Sequence, residues 1–169
     1  LNRLSNLVKS TGMPCSPSTV MEYVRYLQES CLLISLDNYA SKFVDKETVK
    51  KHYFIDNGLL HLFINNPDTA LLENLCAINL YKRYGKGVYY FNRNIEVDFY
   101  VPDEKLAIQA SFRMSEEATL EREIKALVAL HGLYETQRNL IITYEDEGIM
   151  ERDGIKIEII PVWKWLLDM

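Results

Sequence analysis

The sequence has little of what marks a membrane, secreted or metal-stapled protein. No apolar run comes near the roughly 18 residues that span a bilayer, and no signal-peptide pattern opens the chain. There are three cysteines among 169 residues. Cys15, Cys31 and Cys76 lie far apart with no C-x-x-C pair, which excludes a zinc ribbon or a disulfide framework and fits a reducing cytoplasm. None has a histidine partner or a basic setting that would activate a thiol. His52, His61 and His131 are isolated and lack metal-ligand spacing. Glycine (7) and proline (5) are too sparse for low-complexity sequence, and no internal repeat is visible. Positive charge is also short. Nineteen Lys and Arg stand against 24 Asp and Glu, a net charge of -5, which argues against a generally basic nucleic-acid binder.

What is present suits a packed core: 48% of residues are hydrophobic and 25% charged, in a length for one ordinary domain or two small ones. Leu1 is not a start methionine and the chain opens on a helical pattern, so a fragment of something longer is expected. The charge is uneven. Residues 1–52 carry seven Lys/Arg and five Asp/Glu, whereas residues 53–169 carry twelve and nineteen.

The first part reads helix, turn, helix, hairpin. Leu1, Leu4, Leu7 and Val8 form a stripe that ends at Gly12, and Pro14 and Pro17 forbid its continuation. A second helix starts near Ser18, capped either by Thr19 with Glu22 or by Ser16 ahead of Pro17. Val20, Tyr23, Val24 and Leu27 are its expected buried face. Strands follow at 32–36 and 51–55 across a charged loop, giving the winged-helix arrangement. Asp56-Asn57-Gly58 is a turn, 59–63 a short helix, and Asn65-Asn66-Pro67-Asp68 a break. The expected division is therefore a winged-helix module at 1–63 and a second module at 64–169.

The second module reads as a helix at 70–84, strands at 88–91, 95–101 and 105–111, a helix at 115–131, strands at 139–143 and 155–160, and a helix at 163–167. In the middle strand Glu96, Asp98 and Tyr100 are expected on one face, with Ile95, Val97, Phe99 and Val101 on the other. This is an α/β (α+β) chain with a mixed sheet flanked by helices.

That order, with Glu73 on the first helix and Asp98 within Glu96-Val97-Asp98-Phe99, resembles the restriction-endonuclease-like fold of the PD-(D/E)xK nucleases. More specifically, the chain resembles the C-terminal region of a family of bacterial and archaeal AAA-type ATP-binding proteins. The Thr19–Leu27 helix, Tyr53-Phe54-Ile55-Asp56-Asn57-Gly58-Leu59-Leu60, Leu71-Leu72-Glu73-Asn74 and the Asp98 strand carry that resemblance. It implies an ATPase domain upstream as partner and site of ATP, since no phosphate loop occurs here. It also implies a Mg²⁺ site of Glu73, Asp98 and Gln109, hard oxygen donors of the kind that ion prefers.

The catalytic ammonium such a nuclease needs is missing. Ser111 stands where lysine belongs, and a hydroxyl supplies neither its charge nor its acid–base range. Arg113 is a candidate substitute, though its guanidinium clamps phosphate rather than serving as a base. The expected site is thus vestigial: Glu73, Asp98, Gln109 and Ser111, with Arg113 beside them.

For nucleic acid the candidate contacts are Thr19, Arg25 and Tyr26 on the second helix and Lys46 and Lys50 in the wing. Glu22 and Glu29 on the same helix face repel phosphate. The sequence leads us to expect a cytoplasmic, non-catalytic binding module that contacts a protein partner or DNA. The rivals are an active Mg²⁺-dependent nuclease with a displaced cation and a structural platform for self-association.

Overall fold

The computed structural model describes residues 2–41, 49–65, 67–114 and 117–168. Helix α1 (Asn2–Lys9) runs into a turn that ends at Gly12, whose φ of +87° suits a residue without Cβ. Helix α2 (Pro17–Glu29) takes the second of the two expected caps: Ser16 Oγ accepts from the Thr19 amide at 3.1 Å, with Pro17 in the first turn. Strands β1 (Leu33–Asn38) and β2 (Lys50–Phe54) pair antiparallel. Helix α3 (Asn57–His61) is short and capped by Asp56, whose Oδ1 accepts from Gly58 and Leu59.

Helix α4 (Asp68–Tyr84) closes on Gly85 at a φ of +57°. Then come β3 (Tyr89–Asn92), β4 (Glu96–Val101), β5 (Leu106–Ala110), α5 (Glu117–Tyr134), β6 (Arg138–Thr143), β7 (Gly148–Arg152), β8 (Ile155–Pro161) and α6 (Val162–Leu167). The sequence reading lacked β7. It is an edge strand with alternating exposure, joined to β8 through Asp153 and Gly154 at positive φ, the two-residue turn that suits a twisted hairpin.

The described strands form one eight-stranded mixed sheet in the order β2-β1-β3-β4-β5-β6-β8-β7. The pairs β1–β3, β5–β6 and β6–β8 are parallel and the rest antiparallel. Helix α4 covers one face with Leu72, Cys76 and Leu80, against Ile34, Leu36, Tyr53, Phe99 and Ile108. Helix α5 covers the other with Ile124, Leu127 and Leu130, against Phe91, Val97, Ile141 and Ile157.

This sheet runs across the expected boundary at residue 63. Asp37 and Asn38 of β1 pair with Tyr89 and Tyr90 of β3, so the hairpin read as a wing is the end of the main sheet. Its inward residues Ile34, Leu36 and Tyr53 share a core with α4 and with Trp165 of α6. The N-terminal helices also depart from expectation. On α2 only Val20 is buried, while Tyr23 and Leu27 are 63% and 39% exposed. Leu4 and Leu7 of α1 are exposed too. Among the described residues no helix is long and apolar enough to cross a membrane.

A hairpin built into the common core must unfold with it. Leu36→Ala empties a site that is 1% exposed and should cost about 2–5 kcal/mol. Urea unfolding followed by tryptophan fluorescence, which reports α6, and by far-ultraviolet circular dichroism should shift together. A fluorescence transition left in place would mean the hairpin folds independently.

Candidate functional site

The site begins with an irregularity in β4. Tyr89 pairs with Tyr100 and Phe91 with Val97, so two residues of β3 span three of β4, a β-bulge. The extra residue breaks the alternation expected from the sequence: Val97 and Tyr100 pack on the α5 side, and Phe99 and Val101 on the α4 side. It also sets Asp98 where the ladder to β5 stops, beyond the pair Phe99–Ile108. Side chains take over there. The Asp98 amide donates to Gln109 Oε1 at 2.8 Å and Gln109 Nε2 donates to the Glu96 carbonyl at 3.0 Å. The Ala110 amide in turn donates to Asp98 Oδ2 at 3.1 Å.

Glu73 arrives from α4, and its neighbour Asn74 fixes that helix to the sheet. The Asn74 amide exchanges two hydrogen bonds of 2.9 Å with the backbone of Phe54, acting as a partner for edge strand β2, and donates to Asn57 Oδ1 at 2.8 Å. Glu73 Oε1 accepts from the Tyr53 hydroxyl at 2.7 Å.

Between these acids lies a group that the sequence reading placed in the wing. Lys51 shares the inward face of β2 with Tyr53. Its Nζ lies 3.2 Å from Glu73 Oε1, 2.7 Å from Glu96 Oε1 and 3.0 Å from Asp98 Oδ1. Burial opposes the charge on Lys51, but Asp98, Glu73 and Glu96 overcome it and hold its pKa above the ordinary lysine range. Burial, with the Glu73 charge beside it, pushes the Asp98 carboxyl up to about 6, against the pull of Lys51 and the Ala110 amide. Burial and Glu73 likewise raise the Tyr53 phenol.

The structure brings Glu73, Asp98 and Gln109 together at the middle strands of the sheet, on a cleft of about 840 Å³ that α5 also lines. It does not arrange them as the metal set expected from the sequence. The Gln109 oxygen is taken by the Asp98 amide and Lys51 sits between the two carboxylates. Among the described residues no buried side-chain nitrogen or oxygen lacks a partner, and no group of three acidic, histidine or cysteine side chains is placed to hold a metal. The residues present do not fit a divalent ion.

Ser111 lies just past β5, buried, with its hydroxyl turned to the Arg113 carbonyl at 3.3 Å. Arg113 does not follow it on the strand, because β5 ends at Ala110. Its guanidinium stacks on Phe112 and lines a separate cleft with Asp68, Tyr144 and Asp146. Arg113 therefore lines a different cleft from Glu73, Asp98 and Gln109.

The nucleic-acid candidates are scattered and paired locally. Thr19 Oγ1 bonds Ser16 Oγ at 2.8 Å, Arg25 meets Glu29 at 3.5 Å, and the Tyr26 hydroxyl donates to Glu22 at 2.6 Å. Lys50 pairs with Asp37 at 3.2 Å, and Lys46 lies outside the described residues. His52 bonds Ser35 and His131 bonds Thr136.

The Asp98 titration tests this geometry. Lys51 and Glu73 act on Asp98 with opposite sign, and Arg122 across the cleft also interacts with it, while Gln109 and Ala110 offer neutral groups. Lys51→Met should raise the Asp98 pKa above about 6, and Glu73→Gln should lower it towards the ordinary 3.8. Carboxyl carbon NMR reads both shifts. Because the folded-state value is the higher one, this carboxyl favours the fold fully below pH 3.8 and loses that contribution as pH rises through about 6. Shifts of the same sign in the two variants would place the three groups apart.

No protein-family model matches the chain, and no solved structure matches it. The chain is 33% identical to an uncharacterized protein of Methanocaldococcus jannaschii, over 99% of its own residues and 40% of that relative. It is 28% identical to an uncharacterized protein of Haemophilus influenzae, over 98% of its residues and 41% of that relative. It thus spans about 40% of the length of the curated relatives it matches.

Proposed function

We propose that this chain is a non-catalytic binding module, a decayed restriction-endonuclease-like domain whose sheet takes in the hairpin of a winged-helix-like segment, that serves a cytoplasmic AAA-type ATP-binding protein by docking a protein partner. The observation that carries the non-catalytic part is the state of the third nuclease motif. Phosphodiester hydrolysis needs open oxygen ligands and a cation poised near the attacked phosphorus. Here Gln109 spends its amide on the backbone of β4, and Ser111 turns its hydroxyl to the Arg113 carbonyl.

A protein partner fits better than DNA for two reasons. The polar residues of α2 that would meet phosphate, Arg25 and Tyr26, are engaged with Glu29 and Glu22. The same helical pair exposes the apolar side chains Leu4, Leu7, Tyr23 and Leu27, of which the tyrosine is of a kind enriched at protein interfaces. The greater length of both relatives supports the ATPase setting, since it leaves them room for another domain.

Incubation with plasmid and linear DNA in Mg²⁺ or Mn²⁺ should give no cutting beyond that of an Asp98→Ala control, read on a gel. A salt series of DNA binding should show equal, weak affinity for the wild type and Arg25→Glu. Cutting that disappears in the Asp98 variant would overturn the non-catalytic reading. Wild-type binding that Arg25→Glu weakens, with a shallower salt slope, would replace the protein partner by DNA.

A further inference from the structure

The resemblance calls for a divalent ion at Glu73, Asp98 and Gln109, and the atoms between the two carboxylates belong to Lys51. The fit is that of an ammonium. Its three oxygen neighbours, one each from Glu73, Glu96 and Asp98, stand at 3.2, 2.7 and 3.0 Å, the range of charge-assisted N–H···O bonds. Magnesium would need oxygens at about 2.0–2.1 Å and calcium at about 2.3–2.6 Å. The three acceptors match the three N–H bonds of an ammonium, and the ring of Tyr90 lies 5.7 Å from the nitrogen. Beside this centre three further polar groups are engaged: Tyr53 donates to Glu73, Ala110 donates to Asp98, and Gln109 bridges the backbone.

We propose that the Lys51 ammonium is the resident cation of this pocket, standing in for the divalent ion, and that Glu73, Glu96 and Asp98 form a cradle selective for a primary ammonium group. The catalytic lysine missing at Ser111 thus has a counterpart on a different strand, in a different role. The ammonium in strand β2 offsets one of the three carboxylate charges and ties the edge hairpin to the sheet centre. This inference rests on the non-catalytic reading in taking the pocket to work without a metal, and it fails on different evidence.

The cradle is tested by emptying it. Lys51→Ala should lower Tm by roughly 10 °C at neutral pH. A primary alkylammonium such as n-butylammonium should recover roughly 3 °C at ten times its dissociation constant. Tetramethylammonium, which has no N–H, should recover nothing, and neither should Mg²⁺ or Mn²⁺. Recovery with Mn²⁺ in place of the amine, or with neither, overturns the proposal.

A wild-type measurement keeps the proposal testable if that variant does not fold. Mn²⁺ should leave the side-chain NMR signals of Lys51, Glu73 and Asp98 sharp, and the Lys51 ammonium should show scalar coupling to the carboxyl carbons. Broadening of those signals by Mn²⁺ overturns the resident cation. DNA cutting by the wild type is the separate result that overturns the non-catalytic reading.

Discussion

One ammonium joins three parts of this molecule that the chain holds far apart. Lys51 lies on the outermost strand, Glu73 on the helix that covers one sheet face, and Glu96 and Asp98 at the bulge of β4. The hairpin touches the main sheet through only a short parallel pairing at Asp37 and Asn38. Hydrophobic contact from Ile34, Leu36 and Tyr53 provides most of the adhesion, but such contact is non-directional. The charge fixes the position. An ammonium and a carboxylate withdrawn from water tolerate little displacement, because each without the other carries a desolvation penalty of several kcal/mol.

The bulge explains how a carboxylate is tolerated at this depth. In a regular ladder the side chain of residue 98 would stand on one face and its amide would find a backbone partner on β5. The additional residue in β4 removes that partner, and the Gln109 side chain substitutes for it. The displaced Ala110 amide becomes a donor to the carboxylate itself. Asp98 therefore holds one backbone N–H and one ammonium, against the burial and the Glu73 charge that raise its pKa. The site is a consequence of local sheet geometry before it is a consequence of chemistry.

Much of this fold was legible in the sequence, and the failures share a cause. Period-2 runs and the Gly, Pro and Asn punctuation located most strands and helices, and Ser16-Pro17 announced the start of α2. Strand β7 was missed because Gly148–Arg152 carries no apolar alternation, although Asp153-Gly154 is a strong hairpin signal. The joining of hairpin and sheet was invisible because it depends on a long-range pairing between β1 and β3 that no local pattern encodes. The bulge was invisible for the same reason, so the facing of Val97 and Phe99 came out wrong. Lys51 alone left a usable trace. It sits two residues before Tyr53 on a strand whose inner face is apolar, so a solvent-facing lysine and a core tyrosine could not both hold there.

The cluster also shows why a group of acidic residues by itself says little about catalysis. Suppose hydrolysis has no role. Replacing Asp98 or Glu73 by an apolar residue still removes charge from a partly buried ammonium, and replacing Lys51 leaves the carboxylates facing one another. Breaking a buried pair from either side costs about 3–5 kcal/mol, whereas removing all the partners together with well-packed apolar residues costs far less. Single substitutions cannot reach that apolar arrangement without passing through a destabilised intermediate. The acids and the lysine thus constrain one another whether or not a substrate binds.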